Sequence, residues 1–109
     1  MTTTFREIDA TELNSMLGNA AVILIDVRND DEVARGIIPG ARHIPLTLLP
    51  DVAREFVDGE APLVFYCHSG MRSAQACMLL CQASRNNVFN LRGGILGWGK
   101  AGLPFVTKS

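Results

Sequence analysis

Two short apolar runs, AVILID at residues 21–26 and PLVFYC at residues 62–67, restrict the possible folds of this chain most strongly. Each is a nearly continuous series of apolar side chains, many of them β-branched or aromatic, with no alternation of polar and apolar positions. A strand of this type is buried on both faces, as in a parallel sheet that has helices on each side. We therefore expect both runs to be buried strands of an α/β domain.

The rest of the chain alternates between strand and helix patterns. Three more strands are predicted in FREID, ARHIP and VFNLRGG. Five helical segments are predicted in DATELNSML, DDEVARG, LTLLPDVAREF, SAQACMLLCQAS and ILGWGKAG. This alternation predicts an α/β fold with a central, mainly parallel five-stranded sheet, flanked by helices on both faces and joined by right-handed crossovers.

Several single residues fix where these elements begin and end. An Asp or Thr cap with Glu12 close behind it favours a helix start, and Gly18 is expected to end that helix. Pro45 places ARHIP near an edge of the sheet, because proline cannot donate a ladder hydrogen bond. Pro50 lies either in the first turn of a helix or at a break between two helical pieces.

Length and charge narrow the function classes. With 109 residues, 19% of them charged, and a net charge of −1, the chain is expected to form one domain over residues 1–109 that needs no disulfide or metal to fold. Nothing in this composition indicates a nucleic acid or an anionic membrane as partner. The longest apolar stretch, residues 20–25, is far shorter than the ~20 residues of a membrane span, and MTTTFREIDA lacks the features of a signal peptide. We therefore expect a cytoplasmic protein.

The three cysteines agree with a reducing compartment, because Cys67, Cys77 and Cys81 cannot all pair within one chain. Cys77 and Cys81 are four residues apart in a helical pattern, so they share a face and could form a redox pair or half a metal site. No Cys or His follows them at ligand spacing. The favoured interpretation of both is a small buried core residue.

Cys67 is the leading candidate for a catalytic residue. It ends the second apolar run, and ligands in open parallel sheets gather at the carboxyl ends of the strands. In the loop CHSGMRS, Gly70 permits a positive φ, Ser73 is a candidate helix cap, and consecutive backbone N–H groups can form an anion cradle. These groups should lower the pKa of Cys67, and Arg72 supplies a fork suited to an oxyanion. The predicted substrate-binding residues are His68, Ser69, Gly70, Met71, Arg72 and Ser73.

Other residues are assigned supporting positions. His68 is interpreted as a solvent-facing loop residue rather than a general base, because side chains adjacent in sequence usually point in different directions. Asp26 and Arg28 end a strand at the same sheet edge as Cys67, where Asp26 is expected to accept hydrogen bonds and Arg28 to pair with Glu32; a structural ion pair is the favoured interpretation of both. Trp98 is predicted to be a core anchor that donates its indole N–H to a backbone carbonyl.

Two further predictions concern glycines and arginines near the candidate site. Gly93 and Gly94 are expected to form a turn that Cβ atoms would obstruct. Arg42 and Arg92 are candidates for the rim of a pocket, although a solvated position is the favoured interpretation of both.

Three stretches resemble motifs of one known family. CHSGMRS resembles the active-site loop C-x-x-G-x-R-S/T of the rhodanese superfamily, as found in its single-domain sulfurtransferases. LIDVRNDDEVARGIIPGARHIP is similar to the family's first signature, and LRGGILGWGKAGLP resembles its closing signature. One residue departs from the pattern, since Ile37 stands where the family usually has His.

This resemblance implies a transfer of sulfur in two steps. The Cys67 thiolate would take the outer sulfur of a donor such as thiosulfate, release sulfite and then pass the sulfur from a persulfide to cyanide or a thiol. Neither a metal nor an organic cofactor enters this chemistry. Cys67 would be catalytic, and the loop from His68 to Ser73 would bind the substrate.

Three other functions share this architecture. Cys-based phosphatases and arsenate reductases have five residues between Cys and Arg, whereas four lie between Cys67 and Arg72 here, and the smaller ring suits sulfur better than a phosphoryl group. A non-catalytic rhodanese-like module usually lacks the cysteine. A persulfide carrier that passes sulfur to a partner protein stays open beside a free-standing enzyme.

Overall fold

The computed structural model describes residues 4–19 and 21–108 of the chain. The first three residues of MTTTFREIDA, the final Ser109, and Ala20, the first residue of the longest apolar stretch, lie outside this range. The strands are β1 (Arg6–Ile8), β2 (Ile23–Asp26), β3 (Arg42–His43), β4 (Leu63–Tyr66) and β5 (Val88–Leu91). The helices are α1 (Ala10–Asn19), α2 (Asp30–Val33), α3 (Leu49–Val52), α4 (Met71–Gln82) and α5 (Gly94–Lys100), with a 3₁₀ turn at Ala53–Phe56.

The five strands form one sheet in the order β1-β5-β4-β2-β3, and all four neighbouring pairs are parallel. This confirms the predicted α/β class and the five-stranded sheet. β3 lies at an edge, as Pro45 indicates. In β2 and β4, Asp26 lies opposite Tyr66, so the two strands end level and bring the following residues to the same edge.

Both faces of the sheet are covered, which explains the continuous apolar runs. Ile25 and Phe65 pack on one side in a core cluster that includes the inner face of α4, whereas Leu24 and Val64 pack on the other side with residues of α1 and α5. Successive strand residues alternate between the two clusters, so neither face can be polar.

The predicted boundaries need small corrections. α1 continues to Asn19, one residue beyond Gly18, and α4 begins at Met71, two residues before the predicted start. Pro50 lies in the first turn of α3, which is the first of the two alternatives, and the break between the helical pieces comes later, where the 3₁₀ turn begins at Ala53. At the start of α1, Asp9 and Glu12 exchange backbone-to-carboxylate hydrogen bonds of 3.2 and 2.8 Å, as the capping pattern predicts.

The side chains of Cys77 and Cys81 lie in the core beneath α4, which confirms their interpretation as buried residues. Among residues 4–19 and 21–108, the structure contains no helix that is both long enough and apolar enough to cross a membrane.

Candidate active site

Cys67 follows β4 directly and lies at the carboxyl edge of the sheet, where it begins the loop that leads into α4. Its Sγ accepts a hydrogen bond from the backbone N–H of Gly70 at 3.1 Å and lies 3.4 Å from Oγ of Ser73. Gly70 has a φ of +112°, a conformation that residues with a Cβ rarely adopt. The loop therefore folds back over the sulfur and leaves only 1% of Cys67 exposed.

The surroundings of this thiol act on its pKa in opposite directions. Burial alone would raise the pKa of Cys67, because it penalises the thiolate. The Ser73 hydroxyl and the backbone N–H groups of Ser73, Gly70 and Ser69 stabilise the negative charge, and the net result is a lowered pKa. The shift has the direction that the sequence predicts.

Ser73 does not cap α4, contrary to the sequence prediction. Gly70 occupies the cap position, and Ser73 is a fully buried residue inside the first turn of the helix. Its Oγ lies 2.5 Å from Oδ1 of Asn90, whose amide nitrogen donates to Glu7 at 2.8 Å and to the carbonyl of Gly70 at 3.1 Å. The cap was predicted from residue type alone, whereas the helix begins two residues earlier and turns the hydroxyl toward the sulfur.

Sequence reasoning missed Asn90. The only available signal is a polar residue in a strand whose other members are apolar, and β5 buries it to 2% exposure. A buried amide needs hydrogen-bond partners, and the polar groups of the cysteine loop supply them.

Arg72 forms a two-pronged ion pair with Glu32 of α2, with N–O distances of 2.7 and 2.8 Å. This hydrogen-bonded pair holds the pKa of the Glu32 carboxyl at about 2, well below its usual value. The contact ties the N-terminal turn of α4 to α2 across the sheet edge.

Arg28 pairs with Asp26 and not with the Glu32 carboxylate, so the predicted Arg28–Glu32 pair is wrong. The Arg28 guanidinium donates to both Asp26 oxygens and to the carbonyl of Gly36 at 2.7 Å, and both charged residues are buried. Glu32 contributes only its backbone carbonyl, at 3.4 Å. The two charges therefore form the structural ion pair that the sequence analysis favours, with the guanidinium 5.8 Å from the ring centre of Tyr66.

The remaining predicted positions are all exposed to solvent. His68 is exposed, as predicted, and so are Ser69 and Met71, with Met71 78% exposed. Arg42 and Arg92 are also exposed, which is the favoured solvated position for both.

The start of α5 supports the cysteine loop, a role that its sequence pattern did not reveal. The backbone N–H groups of Ile95 and Leu96 donate to the carbonyls of Cys67 and His68 at 2.9 and 3.1 Å. A Cβ on Gly94 would lie only 2.4 Å from the His68 carbonyl oxygen. The predicted glycine turn is thus confirmed, and its reason is the close approach of two backbones.

Farther along the same segment, Trp98 is 1% exposed and donates its indole N–H to the carbonyl of Pro104 at 2.8 Å, as predicted.

Ile37, the residue that departs from the family pattern, is buried and exchanges backbone hydrogen bonds of 2.8 and 2.9 Å with Val106. Its side chain adds to the core, while its backbone holds the C-terminal segment in place.

A cavity of about 480 Å³ borders the cysteine loop at His68. Its walls come from the loop after α2, from α5 and from the C-terminal segment, and they include Arg35, Ile95, Leu96, Lys100 and Phe105. Arg28 and Glu32 also line it, each already paired as described above.

Comparison with known proteins identifies a matching family and several similar chains. The Rhodanese-like domain family matches residues 9–101. A protein of Allochromatium vinosum named "Sulfurtransferase" is 42% identical over 92% of this chain and 94% of its own length. The "Thiosulfate sulfurtransferase GlpE" of Stutzerimonas stutzeri is 31% identical over 88% of this chain and 86% of its own length.

Solved structures show the same architecture. The crystal structure of a rhodanese-like domain protein from Staphylococcus aureus superimposes with a TM-score of 0.82 at 33% identity, over 96% of this chain and all of the other. The overall fold of this chain is therefore one already seen in a rhodanese-like domain protein.

Proposed function

The chain belongs to the rhodanese-like domain family, and we propose that it is a sulfurtransferase that carries sulfane sulfur on Cys67. The observation that carries this proposal is the setting of the Cys67 sulfur at the carboxyl edge of the sheet. There it receives the Gly70 N–H, lies beside the Ser73 hydroxyl and has a lowered pKa. A nucleophilic thiolate needs these features, and a structural buried cysteine does not.

In the proposed first step, the Cys67 thiolate attacks the outer sulfur of thiosulfate. A new S–S bond forms to Cys67, the S–S bond of thiosulfate breaks, and sulfite leaves with the electron pair. The product, a persulfide anion on Cys67, is stabilised by the same N–H groups that stabilise the thiolate. In the second step, cyanide or a thiol attacks the outer sulfur and Cys67 leaves as a thiolate.

Arg72 is proposed to orient the donor. The Glu32 carboxylate occupies one N–H on each terminal nitrogen, and three of the five guanidinium donors are left for the sulfonate of the donor. We expect Arg72→Ala to weaken the use of thiosulfate more than persulfide formation from a neutral donor.

The activity is tested by following thiocyanate formation from thiosulfate and cyanide. Wild type is expected to turn over, Cys67→Ala to lose turnover, and Cys77→Ala to keep it, because the Cys77 thiol is buried and its pKa is raised by burial. A parallel assay with an aryl phosphate separates the phosphatase class. Phosphate release that depends on Cys67, without thiocyanate formation, would refute the proposal.

A further inference from the structure

The cavity beside the cysteine loop is larger than the proposed transfer from thiosulfate to cyanide requires. Its volume of about 480 Å³ lies within the range of roughly 300–1,000 Å³ that is typical of sites for organic ligands. Thiosulfate and cyanide have only five and two atoms, so the cavity has room for a larger organic ligand, and His68 of the cysteine loop lies in its lining.

The charges around the cavity show an excess of positive charge. Arg28 is neutralised by Asp26, and Glu32 is neutralised by Arg72. Arg35 and Lys100 also line the cavity, both exposed, and neither forms a salt bridge with any residue in the described part of the chain. Two cations therefore face the cavity without a protein anion, which favours a ligand that carries negative charge.

The same cavity has an apolar wall. Leu96 and Phe105 are 45% and 48% exposed, although both are large apolar side chains, and Ile95 lies beside them in the lining. Phe105 is seated against Gly99 so closely that a Cβ on Gly99 would lie 3.0 Å from its ring. An apolar ligand body would cover these side chains and remove them from water.

From these features we propose that the cavity binds the sulfur acceptor, and that this acceptor is a low-molecular-weight thiol with an apolar body and a carboxylate. Arg35 and Lys100 would bind the carboxylate, Leu96 and Phe105 would cover the body, and the thiol would lie at His68, the residue next to Cys67 that lines the cavity. This inference rests on the proposed function and specifies its second substrate. The step is balanced without a further reactant: R–SH and Cys67–S–S⁻ give R–S–S⁻ and Cys67–SH.

A binding measurement tests the cavity without any sulfur chemistry. The two probes are 6-(methylthio)hexanoate and 6-(methylthio)hexanol, which share a chain and differ in the carboxylate. Wild type is expected to bind the hexanoate about fivefold more tightly, since two partly exposed charge contacts supply a preference of this order. The preference should shrink in 0.5 M salt, as expected for solvent-exposed charges.

Two double variants with equal net charge locate the preference. Arg35→Gln with Lys100→Gln should bind both probes equally, whereas Arg42→Gln with Arg92→Gln changes exposed arginines outside the cavity lining and should retain the full preference. Equal binding of both probes by wild type would overturn the proposal, and so would an equal loss of preference in the two double variants.

A second measurement follows sulfur transfer from the Cys67 persulfide to 6-mercaptohexanoate and 6-mercaptohexanol. The carboxylate should lower the half-saturation concentration about fivefold in wild type and should have no effect in the Arg35/Lys100 double variant. If the probes are discriminated but no persulfide forms, the cavity proposal stands and the proposed function fails. If the persulfide forms but wild type binds both probes equally, the proposed function stands and the cavity proposal fails.

Discussion

Cys67 is a buried cysteine with a lowered pKa, although burial by itself raises the pKa of a thiol. Its sulfur is buried, which favours the neutral thiol, yet hydrogen-bond donors in the loop favour the thiolate enough to lower the pKa. A fixed ring of donors costs no reorganisation when charge appears on the sulfur, so it can stabilise both the thiolate and the persulfide.

Replacement of Ser73 tests the side-chain contribution to this effect. Ser73→Ala removes the hydroxyl 3.4 Å from Sγ, so we expect the pKa of Cys67 to rise and alkylation by iodoacetamide at pH 7 to slow severalfold. Because a lowered pKa keeps the thiolate populated at lower pH, the alkylation profile of the variant should move to higher pH.

Ser69→Ala is the matched control, since Ser69 contributes its backbone N–H and its side chain is exposed. Its alkylation profile should equal that of wild type. Identical profiles for Ser73→Ala and wild type would contradict the role of the hydroxyl. Ser73→Ala should also cost about 1–3 kcal/mol of unfolding free energy, because it removes a buried hydroxyl whose one proton is shared between Oδ1 of Asn90 and Sγ of Cys67.

Residue-level prediction from sequence succeeded where local chemistry decides the outcome. The position of Cys67, the positive φ of Gly70 and the indole bond of Trp98 all follow from residue type and the neighbouring pattern. The partner of Arg28 could not be predicted, because Asp26 and Glu32 both lie close along the chain and only the folded geometry selects one. Asn90 reaches the site from a strand 23 positions beyond Cys67 in the sequence.

At the scale of elements, the cysteine loop is held from two sides. α5 donates two backbone hydrogen bonds to the carbonyls of Cys67 and His68, while α2 holds Arg72 through Glu32. Neither contact involves neighbours in sequence, so both depend on the sheet register that brings the strand ends to one edge.

Gly94→Ala tests the contact with α5. Gly94 has a φ of +57°, and its added Cβ would lie 2.4 Å from the His68 carbonyl oxygen, so the loop and the helix must separate. Denaturant titration should show a loss of unfolding free energy clearly larger than the ~1–2 kcal/mol of a left-handed alanine alone, together with reduced thiocyanate formation.

Gly102→Ala separates backbone strain from steric overlap, because Gly102 has a φ of +76° but nothing within 4 Å of its added Cβ. Gly102→Ala should lose only the unfolding free energy that a left-handed alanine costs, and it should form thiocyanate at the wild-type rate. Equal losses of stability in the two variants would show that the approach of α5 to the loop contributes nothing.

Acid titration tests the contact with α2. The folded-state pKa of Glu32 is about 2, against an ordinary value of 4.5, so its ion pair contributes stability above pH 4.5 and loses it as the pH falls from 4.5 toward 2. Because the pair is partly exposed, Glu32→Gln should lose only up to about 1 kcal/mol of unfolding free energy at pH 7. Its unfolding free energy should also fall less steeply with decreasing pH below 4.5, because the variant lacks the carboxyl that titrates there.

Asp31→Asn on the same helix is the charge-matched control, since Asp31 is exposed. Its acid limb should retain the steepness of the wild-type curve. An acid limb of Glu32→Gln that follows wild type at every pH would contradict a stabilising role for the pair.

At the scale of the whole molecule, the alternation of strands and helices predicted most of the architecture. The two continuous apolar runs predicted strands covered on both faces, and the sheet order places β4 and β2 side by side at its centre. The docking of α5 against the loop and the wall that Phe105 adds to the cavity could not be predicted, because they depend on tertiary contacts between segments that carry no local signal.

The buried positions of Cys77 and Cys81 allow the central claim to be tested in the intact chain. The protein is incubated with thiosulfate, and its intact mass is measured for wild type and for Cys67→Ser, which keeps both core thiols. Wild type should gain one sulfur atom, ~32 Da, and the variant should gain none. An equal gain in Cys67→Ser, a gain that maps to the peptide of Cys77 and Cys81, or no gain in wild type would contradict the account.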